Sequence, residues 1–133
     1  MQKETDYSLK RLRKAFARLQ EGAQMANTDL LRDGVVQRFE FTFELLWKTL
    51  KVFLEEKGVL AHTPKECLQQ AFRLGWIGDD QVFVAMLEAR NQMSHEYDES
   101  EAKKVFKQVK KRFIKPLQGL IHHLEALSKK KGK

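Results

Sequence analysis

At 133 residues and 42% apolar content the chain is long enough to fold as one domain around a core of its own, without metals or crosslinks. Cys67 is its only cysteine, which excludes an intramolecular disulfide framework and a cysteine-built zinc site and fits a reducing cytoplasm. The formal charge is +7, but Lys129, Lys130, Lys131 and Lys133 crowd the end of the chain, and removing those four charges from +7 leaves +3, so the total alone does not specify an acidic partner.

From the start of the chain, apolar residues recur at Leu9, Leu12, Phe16, Leu19 and Ala23, the spacing that lines one helical face and predicts a first helix over about residues 6 to 26. The segment before it, Met1 to Asp6, is charged, and no run approaches the roughly 18 uncharged residues of a membrane span, so neither a signal peptide nor an anchor is expected. After the turn and cap formers Asn27, Thr28 and Asp29, a long aromatic-rich series runs from Val35 and Val36 through Phe39, Phe43, Leu46, Trp47, Leu50 and Phe53 to Leu54 and stops at Gly58.

Thr63, Pro64 and Glu66 combine an N-cap, a proline at the first helical position and a capping-box glutamate, marking a short third helix that ends near Gly75. Asp79 or Asp80 caps a fourth, with Val82, Phe83, Met86, Leu87 and Ala89 turned inward and a stop near Ser94 or His95. The last series, from Ala102 through Val105, Phe106, Val109, Phe113, Leu117, Leu120 and Ile121 to Leu124, starts at Asp98 to Ser100 and should be kinked by Pro116. No segment alternates with a two-residue period, and the connections are short. The fold class is therefore all-α, an antiparallel up-and-down bundle of four main helices and one short one. Residues 1–127 make the domain, the Lys-rich tail 128–133 is expected to be disordered, and Trp47 and Trp76 belong to the core. So much aromatic surface also suits self-association.

One stretch of polar residues stands apart: Arg90, Asn91, Gln92, Met93, Ser94, His95, Glu96, Tyr97. An Arg followed five places on by His, and two further by Tyr, is expected by chance only about 0.004 times in a chain of this composition. Arg reads phosphate through its planar fork, and His moves protons near neutral pH. Together they suit metal-free cleavage of an RNA phosphodiester, with His95 as general acid or base and Arg90 stabilising charge on phosphorus. On a continuous helix the two residues stand roughly 140° apart. Their convergence requires either that the helix end near Ser94 or that two subunits share a cleft. Asn91, four residues before His95, is placed to orient the imidazole.

At these residues the chain resembles the HEPN superfamily, whose signature is Arg, four to six residues, then His. Within it the chain is similar to the nucleotidyltransferase substrate-binding, HepT-like toxin branch, in Phe43-Glu44-Leu45-Leu46-Trp47-Lys48, Thr63-Pro64-Lys65-Glu66 and Arg90-Asn91 leading to Ser94-His95-Glu96-Tyr97, over about residues 5 to 125. The resemblance implies a homodimer with two Arg/His motifs facing a shared cleft, acting as a ribonuclease toxin without cofactor or metal. It also implies a separate small MNT-type nucleotidyltransferase as partner, which neutralises the toxin by placing AMP on the motif tyrosine, here Tyr97. A non-catalytic subunit presenting substrate to that enzyme is the other reading.

Ordinary roles are open to the same residues. Arg90 can pair with Glu88 or Glu96, and Glu40, Glu44 and Lys48 read as an exposed stripe with local ion pairs. His62, His122 and His123 lack ligand-spaced neighbours and read as surface. Lys103, Lys104, Lys107, Lys110 and Lys111, with Arg112 and Lys115, give the last helix a basic face, either a nucleic-acid contact or a solvated surface.

Overall fold

A computed structural model of the chain describes residues 2–95 and 98–131, with the side chains of all of these except 2, 94, 95, 130 and 131. Its elements are α1 (Gln2–Met25), α2 (Asp29–Glu56), α3 (Pro64–Arg73), α4 (Asp80–His95), α5 (Glu99–Gln108), a π-helical turn (Val109–Phe113) and α6 (Ile114–Lys131), the last three forming one unbroken rod. No strand occurs among the described residues, and the all-helical bundle expected from periodicity is what forms.

The helix ends follow local chemistry. Thr28 Oγ1 accepts from the Leu31 N–H, Thr63 Oγ1 from the Glu66 N–H, and an Asp98 carboxylate oxygen from the Ser100 N–H. At the start of α4 the capping carboxylate is that of Asp79, which accepts from the Gln81 N–H at 3.0 Å. α2 closes in a Schellman arrangement: Val59 N–H reaches Leu54 O and Gly58 N–H reaches Glu55 O, with Gly58 at φ 78°, a conformation a side chain would strain.

α2 is the central rod. The three-residue link 26–28 turns it back antiparallel along α1, and α3, α4 and α5 also pack on it, while α6 closes against α1. Its inward face carries Phe39, Phe43, Leu46, Leu50 and Leu54, all fully buried. Thr42 and Thr49 are buried on the same helix. Their hydroxyls donate to Arg38 O at 2.7 Å and Leu45 O at 2.6 Å one turn back, so neither is stranded away from water.

The disturbance expected at Pro116 takes a particular form. A proline ring clashes with the carbonyl four residues earlier, here Arg112, and has no N–H to give it. The π turn lies directly ahead of the proline, with Ile114 N–H donating to Val109 O, one residue further back than in an α-helix. The extra residue still leaves Val109 and Phe113 facing inward, and Phe113 stacks on Phe39 with ring centroids 5.4 Å apart. At the other end α6 continues to Lys131, past Ser128 where a disordered tail was expected to begin. Ser128 donates to the Asp6 carboxylate.

Candidate functional site

Arg90 follows Met86 and Ala89, which are buried on the inward face of α4, and this puts its guanidinium at the seam between α4 and α2. There it meets Glu44. Arg90 Nε donates to Glu44 Oε1 at 2.8 Å, Nη2 donates to the same oxygen, and Nη1 donates to Asn91 Oδ1 at 3.0 Å. The other oxygen of Glu44 accepts from Trp47 Nε1 at 3.1 Å. The Arg90 and Glu44 side chains are 28% and 32% exposed, so the pair is partly withdrawn from solvent yet reachable from it.

Sequence expectations are corrected here for Glu44 and Trp47. Arg90 meets a carboxylate 46 residues away on α2; Glu88, one of the two carboxylates expected beside it, is exposed, and the other, Glu96, lies outside the described residues. Glu44 is therefore not part of an exposed stripe; only Lys48 of that series is fully exposed, its ammonium 6.0 Å from the Trp47 ring centre. Trp47 is half-buried, its ring against the core and its N–H committed to Glu44. A glutamate three residues ahead of a tryptophan on one helix was the available signal, since an indole donor at a core margin needs an acceptor.

Glu40 lies one turn before Glu44 and is half-buried. Burial pushes its carboxyl above the usual range and the Arg90 cation pulls part of that back. It lines a groove with Leu30, Asp33, Gln37, Met93 and Ala102, between α2, the end of α4 and the start of α5. Among the described residues the charged side chains lining that groove are the carboxylates Asp33 and Glu40.

α4 is helical through His95, its last residue, so the helix does not end before the histidine. Arg90 and His95 thus stay roughly 140° apart around one helix. The His95 side chain and Tyr97 lie outside the described residues. Asn91 is exposed and its Oδ1 is engaged by Arg90. Lys103, Lys104, Lys107, Lys110 and Lys111 are exposed on α5 and the π turn, with Lys104 3.5 Å from Glu101. Among the described residues no three His, Cys, Asp or Glu side chains group closely enough to hold a metal ion. Cys67 is fully buried, and burial pushes its thiol up to about 11, which keeps it protonated and unreactive. No helix among the described residues is long and apolar enough to cross a membrane.

Fold and site together define a helical-bundle protein with a motif arginine clamped between its second and fourth helices. The chain belongs to the nucleotidyltransferase substrate binding protein like family, whose model matches residues 7–126. It is 37% identical over 86 residues to a Haemophilus influenzae protein named Probable ribonuclease HepT, a match covering 61% of this chain and 59% of that relative's length. Its fold is similar to that of a Thermus thermophilus protein of known crystal structure, with a TM-score of 0.78 and 29% identity over 85% of this chain and 98% of that one. A Haemophilus influenzae structure, reported to reveal the fold of a substrate binding domain of a nucleotidyltransferase, matches with a TM-score of 0.66 and 28% identity over 94% of this chain and 99% of that one.

Proposed function

We propose that the protein is a metal-independent endoribonuclease toxin, active as a homodimer in the cytoplasm and held in check by a partner nucleotidyltransferase. The observation that carries this reading is the clamped Arg90 on the helix whose last residue is His95. In the reaction the RNA 2′-oxygen bonds to the adjacent phosphorus while the bond to the 5′-oxygen breaks. His95 moves the protons and Arg90 takes up the charge that grows on the phosphoryl oxygens. The name of the Haemophilus relative, Probable ribonuclease HepT, supports RNA cleavage as the activity.

The homodimer is supported by the outer face of α2. Leu30, Gly34, Gln37 and Phe41 follow one another at helical three-and-four spacing along one face of α2. Leu30 is 81% exposed and Phe41 55%, an apolar cost that a second copy would relieve, and Glu44 of the Arg90 pair comes three residues after Phe41. In the proposed dimer two such faces pack together and the two α4 ends share one cleft, in which Arg90 of one protomer works with His95 of its partner.

Tyr97 is the regulatory position in this proposal: its phenolic oxygen attacks the α-phosphorus of ATP, bonding AMP and releasing pyrophosphate, and the attached anion then competes for Arg90. Purified protein should cleave RNA in EDTA, and Arg90→Ala and His95→Ala should each abolish this. Cleavage undiminished in both variants would reject the assignment. Lys107→Glu with Lys110→Glu should weaken RNA binding and flatten its salt dependence if that face contacts the strand.

A second reading is favoured by the family itself and by the carboxylate that occupies Arg90: a non-catalytic subunit that presents substrate to the nucleotidyltransferase. It expects stable capture of that enzyme with no RNA cleavage, and capture unaffected by His95→Ala.

A further inference from the structure

The two oxygens of Glu44 do different work. Oε1 receives the Nε and Nη2 donors of Arg90, and Oε2 receives the Trp47 indole N–H at 3.1 Å from one turn further along the same helix. Trp47 cannot follow a moving carboxylate, because its ring is packed against the core. A carboxylate held at one oxygen by a fixed donor keeps its orientation, and a planar guanidinium docked on the other oxygen through its Nε edge keeps its plane. Asn91 Oδ1 takes Nη1 on the far side. The chain thus orders a side chain that in free solution samples many rotamers. Ordering it before a ligand arrives removes the entropy cost of doing so from binding and from the transition state.

We infer that Glu44, tethered by the Trp47 indole, is the positioning residue that sets the Arg90 guanidinium for an incoming phosphate. This rests on the reading of Arg90 as the phosphate-binding cation of the proposed nuclease. Glu44 could instead act as a competitor that keeps the phosphate away, but the pairing argues against it. A competitor imitating phosphate would set both oxygens against the guanidinium fork, whereas Glu44 commits one of them to its own anchor.

The test compares wild type, Glu44→Ala, Glu44→Gln, Trp47→Phe and Glu44→Ala/Arg90→Ala in the full chain. Solvent exchange of the Arg90 Nε–H, followed by nitrogen-15 NMR and assigned with Arg90→Lys, reads the clamp without any activity. Exchange should be slow in wild type, fast in Glu44→Ala and intermediate in both Trp47→Phe and Glu44→Gln, because the single amide oxygen of glutamine can accept from Arg90 or from the Trp47 indole but not from both.

In metal-free cleavage of an RNA oligonucleotide, Glu44→Ala should lower kcat about 10- to 100-fold with KM changed less than about 3-fold. Trp47→Phe should lose less in the same direction. Affinity for the matching uncleavable 2′-deoxy oligonucleotide should fall in Glu44→Ala and fall no further when Arg90→Ala is already present. Equal Arg90 Nε–H exchange in wild type and Glu44→Ala, or tighter oligonucleotide binding in Glu44→Ala, overturns the inference. Should wild type bind the oligonucleotide and cleave no RNA, only the nuclease reading falls, because exchange and binding still decide the role of Glu44.

Discussion

Arg90 on α4 donates through Nε to Glu44 Oε1 on α2 across 2.8 Å, tying the cation of the Arg/His motif to a helix 46 residues away in sequence. Hydrogen bonds to charged groups contribute about 1.5–3 kcal/mol where they are sheltered, and about a third of each of these side chains is still exposed. Glu44→Ala should therefore cost about 1–2 kcal/mol in urea unfolding at pH 7, and Arg90→Ala a similar amount. The two changes together should cost less than their sum, because either alone already breaks the contact. Strict additivity in the double-mutant cycle would show that the pair contributes nothing as a pair.

What the sequence could disclose was what is local. Thr28, Thr63 and Asp98 cap their helices because a side-chain oxygen needs only the N–H groups two or three residues on. Periodicity placed Phe39, Phe43 and Phe113 in the core because burial repeats with the helix turn. The Arg90–Glu44 contact depends on how far α4 slides along α2, which the packing of the whole bundle sets and no local pattern encodes. Trp47 was half legible: helical spacing locates its ring, and Glu44 three residues earlier on the same helix is the local hint of where its N–H points.

The π turn ahead of Pro116 makes a second prediction. Phe113 is fully buried and stacks on Phe39 although the turn inserts one residue into the helical register, so its ring is the fixed point about which α5 and α6 join. Phe113→Ala should cost about 3–5 kcal/mol, the range for truncating a buried aromatic. Arg112→Ala, a neighbouring exposed position, should change stability by less than about 0.5 kcal/mol. Comparable losses in the two variants, measured by chemical denaturation, would mean that the turn does not hold Phe113 inward.

Glu40 gives a pH signature of opposite sign to the usual carboxylate. Burial raises its pKa above the ordinary 4.5 despite the pull of Arg90, so the folded state binds this proton more tightly than the unfolded chain. Its charged form therefore opposes folding at neutral pH, and that penalty is relieved as pH falls through the raised value toward 4.5 and below. Glu40→Gln should melt higher than wild type at pH 7, by a change within about 0.5 kcal/mol, and the advantage should close by pH 4. Circular-dichroism melts at the two pH values check this, and an advantage that persists at pH 4 would point to packing of the amide as its source.

In the proposed dimer the α2 face that carries Leu30 and Phe41 is what brings Arg90 and His95 to one site. Within one chain α4 stays helical to His95 and keeps the two about 140° apart, so the proposed chemistry needs a second copy at this edge. Phe41 and Leu30 touch little in the monomer, being 55% and 81% exposed, so Phe41→Asp and Leu30→Asp should change monomer stability by less than about 0.5 kcal/mol. Two copies packed on this face would bring four aspartates together in the double variant, and light scattering should then show monomer where wild type shows dimer. RNA cleavage should be lost in parallel, with the Arg90–Glu44 clamp intact by NMR. If the double variant remains dimeric, the second copy sits on another face. If wild type itself is monomeric at the concentration where it cleaves RNA, the shared cleft is not how the two motif residues work.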